Sequence, residues 1–566
     1  MRKKVIPAII IIVLIFIFAG IFVLQQYLKR YSPSTERADL DDYFDVRSDN
    51  DVPIVLGNER IDEHAAIFDG CYYMDFDSVQ KYLNDRFYFG EADMTLLYST
   101  PTTVITSQIG SDAWSDSEGE SGTEDYTIAR IENDTLYVAL DYVKKYTNFS
   151  YETFTEPNRM QLTTSWGDEM VASINKDTQI RLRGGVKSEV LCDIKKGASV
   201  VVLEELENWT KVKSPDAFIG YVENRRLDEA KEVSPIPVTD YSEPEYTSIS
   251  RDHKICLGFH NIGGSAGNDQ IGEVIAAAKG LNVISPTWYA VSSNEGDVRS
   301  FVSSSYIKTA HNKGLEVWAL LDNFTGGDVS TSEVLTHADS RAAVIRNVVD
   351  SAVGNGIDGI NLDFEMVAAE DGQSYIQFVR EMSIACRKAG LVFSIDNYVP
   401  MHFNDYYDLE EQGVVADYVI IMGYDEHYGG SPEAGSVASL GYVENGIINT
   451  AKEVDASKII NAVPFYTRIW RTRDGEVSSE AVSMKKAKEF ISNHAIDMQW
   501  DQGTGQNYGE FTDSQGRLNQ IWMEDALSLT QKIDSMKANN IAGIATWSLG
   551  METSDVWDVI SEYVSQ

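Results

Sequence analysis

The chain has 566 residues, of which 43% are hydrophobic and 11% aromatic. That is material for several packed cores, and it excludes both a disordered chain and a single ordinary domain. Acids outnumber bases 87 to 47, a formal charge of −40, so the surface repels phosphate backbones and nucleic acid is excluded as a partner.

The first element in chain order is apolar. Arg2, Lys3 and Lys4 precede an unbroken run from Val5 to Leu24, about the 20 residues a helix needs to cross a bilayer. No Ala-x-Ala-like exit follows, as a cleaved signal peptide would have. Basic residues before the span favour an N-in, C-out orientation, although Lys29 and Arg30 after it reduce the asymmetry. Residues 1–30 are therefore expected to be a single-pass anchor in the cell membrane, through residues 5–24, with the rest of the chain extracellular. Residues 31–60, polar with Pro33 and Pro53, are expected to be a linker.

Over 61–170 a weak repeat occurs. Tyr73, Val79, Lys81 and Tyr82 recur 64 positions later as Tyr137, Val143, Lys145 and Tyr146. Each copy is a strand-like run leading into a helical stretch. Between them Ser111 to Asp125, rich in Ser, Gly and acids, is expected to be a flexible loop. The segment resembles small α+β stalk domains of bacterial surface proteins, related to the N-terminal domain of copper amine oxidases, which implies a spacer.

Residues 171–228 read as a small all-β barrel, with strand-like runs separated by Lys195-Lys196-Gly197 and Pro215-Asp216. The order Leu182-Arg183, Gly197, Val200 to Leu203, Trp209 to Val212 and Gly220-Tyr221-Val222 resembles bacterial Src-homology-3-like domains. That resemblance implies a cell-wall setting; Trp209 and Tyr221 are expected to be core or edge aromatics. Residues 229–252, with Pro235, Pro237 and Pro244, are expected to be a second linker.

From 253 to 566 strands and helices alternate. Eight strand-like runs begin at Ile255, Val283, Glu316, Gly359, Val392, Tyr418, Ile459 and Ala542. Helical stretches such as Ala342–Ala352 and Ala526–Ala538 lie between them, predicting an α/β (β/α)8 TIM barrel. The interval from Trp470 to Asn540 is too long for one connection and is expected to hold a small insertion.

The fourth run, Asp358-Gly359-Ile360-Asn361-Leu362-Asp363-Phe364-Glu365, carries the chemistry. Side chains alternate along a strand, so Asn361, Asp363 and Glu365 share one face and Ile360, Leu362 and Phe364 the other. Three polar groups facing a barrel axis are costly unless hydrogen-bonded or used. Glu365 falls at the carboxyl end, where barrel enzymes build their sites. Asp358, out of phase at the start, is expected to be structural support.

This octapeptide resembles the signature of glycoside hydrolase family 18, the chitinases and their relatives. Met422-Gly423-Tyr424-Asp425, Pro464 to Trp470, and Thr546-Trp547-Ser548-Leu549 resemble its sixth-, seventh- and eighth-strand motifs in the same order. The resemblance implies a retaining, substrate-assisted mechanism. Glu365 would be the acid and then the base, Asp363 would hold the substrate acetamido N–H, and Tyr424 would donate to its carbonyl oxygen. Asp425, Tyr466, Arg468 and Asn361 would bind sugar, and Trp547 would stack beneath it. Many chitinases carry Asp where this chain has Asn361, an amide that cannot share a proton with Asp363; Asn also occurs in the branch resembling spore-cortex N-acetylglucosaminidases.

The expected partner is an N-acetylated polysaccharide. Peptidoglycan is favoured by the anchor and wall-type module, and chitin-like glycans are the alternative. A non-catalytic, lectin-like member of the same fold is the competing reading, set against the presence of Glu365. Cys71, Cys192, Cys256 and Cys386 are too scattered for a zinc site or disulfide framework, with Cys256 and Cys386 expected in the core. His427 has no second ligand beside it and is expected to be a loop residue. No metal or cofactor is called for, and a monomer is expected.

Overall fold

The computed structural model describes residues 2–237, 239, 241–324 and 329–565. The N-terminal helix spans Arg2–Tyr31. Its segment Ile9–Tyr31 contains an 18-residue stretch of mean hydropathy 2.8 and is long and apolar enough to cross a membrane. The chain divides into two units.

The first unit holds two seven-stranded sheets. In one of them the repeat is visible as paired strands. Cys71–Asp75 and Thr135–Ala139 lie antiparallel, with Tyr73 opposite Ala139 and Tyr137 opposite Asp75. Each strand runs directly into a short helix, Phe76–Tyr82 or Leu140–Val143. The second sheet, between Glu169 and Val233, is antiparallel throughout.

Three expectations here need correction. Residues 31–60 are not a spacer. Asp51–Leu56 is a strand of the first sheet, and the helix Leu40–Phe44 buries Tyr43 and Phe44 against Phe218 of the second. The acids around Tyr43-Phe44 masked an aromatic anchor, and one of them, Asp39, caps that helix. Ser111–Asp125 contains the strands Ala113–Asp116 and Ser121–Thr123, so it is not an open loop. The linker after 228 starts with a strand, Lys231–Val233, paired to Glu169–Val171.

The second unit is the barrel. Its strands are β1 (Ile255–His260), β2 (Val283–Val291), β3 (Glu316–Asp322), β4 (Gly359–Asp363), β5 (Val392–Tyr398), β6 (Tyr418–Met422), β7 (Ile459–Pro464) and β8 (Gly543–Trp547). All neighbours are parallel, and β1 pairs with both β2 and β8, closing the ring. Leu257, Phe259, Trp318, Leu320, Ile420 and Ala545 fill the axis. Ile360, Leu362 and Phe364 pack outward in the larger core beneath the helices, as alternation predicts. Burying such side chains contributes about 1.5–3 kcal/mol each.

Two glycines set up β4. Gly356, at φ +71°, ends the helix Ala338–Asn355 in a left-handed cap. At Gly359 a Cβ would stand 2.8 Å from the Val392 carbonyl oxygen and 2.9 Å from the Trp318 ring. Only a bare backbone fits between those strands.

The insertion after β7 is a five-stranded antiparallel sheet with the helix Met484–His494. It starts at Tyr466 and its last strand ends at Met523, so it begins four residues before the predicted Trp470. Ala526–Ala538 is again a barrel helix. Residues 87–106, expected within the stalk-like segment, cluster with the barrel. There the Tyr88 hydroxyl lies 2.9 Å from Ser374 Oγ, and Arg387 Nη1 donates to the Pro101 carbonyl at 3.1 Å.

Candidate active site

A cleft of about 470 Å³ opens at the carboxyl ends of the barrel strands. Asp363, Glu365, Tyr424, Asp425 and Trp547 all line it, together with Asp322, Tyr398, Arg299 and Phe301. The alternation of β4 delivers Asp363 and then Glu365 to the axis side. Parallel register sets Asp322 of β3 directly beside Asp363.

Glu365 is held by three contacts. The Tyr398 hydroxyl donates to Glu365 Oε2 at 2.7 Å. The Asn323 side chain clamps the Glu365 backbone, accepting from its N–H at 3.0 Å and donating to its carbonyl at 2.8 Å. Burial pushes the Glu365 carboxyl above its ordinary range; the Tyr398 bond opposes this and the Asp425 charge adds to it. A carboxyl with a raised pKa is what a general acid near neutral pH needs.

Asp363 is only 7% exposed, and its Oδ1 is buried with no partner among the described residues. Burial raises it far above the usual carboxylate range, and the charges of Asp396, Glu365 and Asp322 raise it further. Asp396, on β5, is pushed up to about 8, chiefly by burial. Asp322 is pushed up to about 6 by burial, against the Phe324 N–H that donates to it at 3.0 Å. Like charges packed this closely cannot all ionise together, so when Asp363 is charged its neighbour Asp396 is favoured in the protonated form.

The other predicted residues divide. Tyr424 is half-buried, and its hydroxyl is pushed well above the ordinary range by desolvation and by Asp396 and Asp363. Asp425, at φ +58°, accepts from the Tyr466 hydroxyl, so Tyr466 reaches the site through Asp425 and does not line the cleft. Trp547 packs against Phe259 with ring centres 5.5 Å apart.

Asn361, expected to touch sugar, has no exposed surface; its amide donates to Ser394 and Asp396 below the cleft. Arg468 does not line the cleft; it donates to Ser479 Oγ at 3.0 Å beside Gly429. The strand Tyr466–Arg473 alternates, and Arg468 pairs opposite Ala481 in the insertion. Asp358 accepts from the Val317 N–H at 2.8 Å and contacts His311, at the far end of β4 from Glu365. His427 contacts the Ser436 carbonyl in a loop. Among the described residues no cluster of metal-ligating side chains occurs.

Asp322, Asn323, Asp396, Tyr398 and Arg299 escaped the sequence reading. The signal was present for two of them, Asp396 and Tyr398. Ser394, Asp396 and Tyr398 alternate on β5 as Asn361, Asp363 and Glu365 do on β4.

A closed parallel barrel with a buried Asp and a raised-pKa Glu at one strand end fits a glycoside hydrolase. The profile of glycosyl hydrolases family 18 matches residues 253–552. The chain belongs to that family. It is similar to the glycosylase YdhD of Bacillus subtilis (strain 168), 28% identical over 272 residues, 46% of this chain and 64% of that protein. It is also similar to the cortical fragment-lytic enzyme of the same organism, 26% identical over 251 residues, 43% of this chain and 58% of that one. The chain thus spans less than two thirds of either relative's length. The Bacillus cereus spore cortex-lytic enzyme SleL shares the fold, with a TM-score of 0.50 and 22% identity over 60% of this chain and 78% of that one.

Proposed function

We propose that this protein is a membrane-anchored, extracellular, retaining glycosidase that hydrolyses β-1,4-linked N-acetylglucosamine glycans, with peptidoglycan favoured over chitin. The observation that carries the reading is the convergence of Asp363, Glu365, Tyr424 and Trp547 on one cleft. The similarity to a cortical fragment-lytic enzyme adds support for a wall glycan. The apolar N-terminal helix supports the anchor, and the antiparallel unit at 171–228 supports a Src-homology-3-like wall module. The paired repeat supports a spacer role for the segment before it, apart from residues 87–106, and the protein acts as a monomer.

In the mechanism, Glu365 gives its proton to the glycosidic oxygen as the C1–O bond breaks. The substrate's own acetamido carbonyl oxygen attacks C1, forming an oxazolinium. Asp363 Oδ1, otherwise unpartnered, accepts the acetamido N–H and balances the positive charge. Tyr424 donates to the acetamido oxygen, and Asp425 and Trp547 hold the sugar. Water then attacks C1 as the oxazolinium C1–O bond breaks and frees the acetamido group, while the Glu365 carboxylate takes the water's proton, which restores the acid and retains the configuration.

The test uses the full chain in detergent, as wild type and Glu365→Gln, with chitooligosaccharides and with purified peptidoglycan. New reducing ends should appear with wild type and fall about a thousandfold in the variant. Anomeric proton NMR of the first product should show retention. Binding of both glycans without cleavage would identify a lectin instead, and equal activity of the variant would remove Glu365 as the acid.

A further inference from the structure

The cleft is lined by four carboxylates, Asp322, Asp363, Glu365 and Asp425, and by one basic side chain, Arg299. A neutral N-acetylglucosamine polymer offers that cation hydroxyl and carbonyl acceptors but no opposite charge. Arg299 lies on the short strand Val298–Ser300, opposite Ala290 of β2. It is exposed, and its guanidinium stands 5.0 Å from the centre of the Phe301 ring, which also lines the cleft. Its charge acts on Asp322 through space, yet among the described residues it makes no hydrogen bond or ion pair.

The surrounding acids do not cancel it. Burial holds Asp322 up to about 6 and Asp363 and Glu365 above their usual ranges. The lining is therefore less anionic than its count of acids suggests. A guanidinium resting on an aromatic face is already oriented, and its planar fork matches a carboxylate in two parallel hydrogen bonds.

We propose that Arg299 reads a carboxylate on the sugar next to the cleaved N-acetylglucosamine, so that the glycan is an alternating acidic polymer rather than a neutral homopolymer. The inference rests on the hydrolase reading above and narrows its substrate. In peptidoglycan that carboxylate has two sources, the lactyl group of a peptide-free muramyl residue or the acids of an attached stem peptide.

Full-length wild type, Arg299→Gln and Arg299→Lys would be assayed in detergent at low salt on four substrates. These are amidase-stripped glycan strands, the same strands methyl-esterified, strands retaining stem peptides, and chitooligosaccharides. For wild type, kcat/KM on the stripped strands should exceed that on their esters by about tenfold. That ratio should collapse toward one in Arg299→Gln and return in part in Arg299→Lys. A preference confined to stem-bearing strands would assign the carboxylate to the peptide. If wild type prefers neither charged glycan to its neutral counterpart, or the ratio survives in Arg299→Gln, the inference fails while cleavage itself upholds the hydrolase reading. If wild type cleaves none of the four, both fail.

Discussion

Asn361 Nδ2 donates to Asp396 Oδ1 at 3.0 Å, tying β4 to β5 directly beneath the cleft. The amide cannot share a proton with Asp363, but it holds in place a carboxyl that raises Asp363 through its charge. The charges of the same pair reach Tyr375 and Tyr424 through space, and Asp322 and Glu365 add their charges to Asp363. If the Asp363 carboxylate balances the oxazolinium, activity is lost as pH falls through its pKa. Asp396→Asn removes a like charge, so Asp363 titrates lower and the acid limb of the kcat/KM profile moves to lower pH. An unmoved limb would show that Asp396 serves packing alone.

Tyr398 opposes the burial that raises Glu365, because its hydroxyl bonds the charged form. Tyr398→Phe leaves the carboxylate less favoured and the acid protonated to higher pH. A hydrogen bond to a charged group contributes about 1.5–3 kcal/mol, equivalent to about one to two pH units. The alkaline limb of the pH–rate profile should rise by about that amount, and a downward shift would contradict the assignment.

Much of this site was legible from alternation along one strand. Asn361, Asp363 and Glu365 face inward because β4 is extended and closed on both sides, a local rule that the barrel obeys. Asn361 and Arg468 were misjudged for a physical reason. Facing the axis does not mean reaching the cleft, and Asn361 sits a layer too deep. Arg468 lies on the first strand of the insertion, whose hairpin partner claims it. The Leu40–Phe44 helix was hidden by composition, since two aromatics outweigh several acids once they find Phe218.

Asp322 gives a stability test. Its folded pKa, about 6, lies above the unfolded value of 3.8, so the folded state binds the proton more tightly. That contribution is full below about pH 4 and is lost as pH rises through 6. Asp322→Asn keeps an acceptor for the Phe324 N–H and removes the buried charge. Its Tm should match wild type near pH 4 and exceed it by a few degrees at pH 8. A gap that widens toward acid pH would reverse the sign and refute the argument.

Lys532 and Glu524 form an ion pair in which the side chains are 1% and 0% exposed. Glu524 also accepts from Gln506 and from Ser528, joining the insertion to the barrel helix that follows it. Lys532→Met strands a buried carboxylate and should cost about 3–5 kcal/mol by denaturant unfolding. Adding Glu524→Gln should recover much of that loss, since a neutral amide replaces the unpaired charge. A double variant no better than the single one would mean that packing, not charge, holds the junction.

Asn323 tests how the acid is aimed without touching its chemistry. Its side chain closes a two-bond clamp on the Glu365 backbone and is itself anchored, donating to Thr331 Oγ1 at 3.0 Å. Glu365 lies beyond the last ladder-paired residue of β4, so these bonds replace the ones a longer strand would supply. Asn323→Ala frees both backbone groups and lets the carboxyl wander from the glycosidic oxygen. A misplacement on the order of 1 Å costs about a hundredfold in rate. The loss should fall on kcat with KM little changed, because the proposed sugar contacts, Asp425 and Trp547, are left untouched. Asn323→Asp separates the causes. It still accepts from the Glu365 N–H, but it adds a charge beside the acid and should raise the alkaline limb. If both variants lower kcat equally with the same pH profile, the clamp acts on the fold rather than on Glu365.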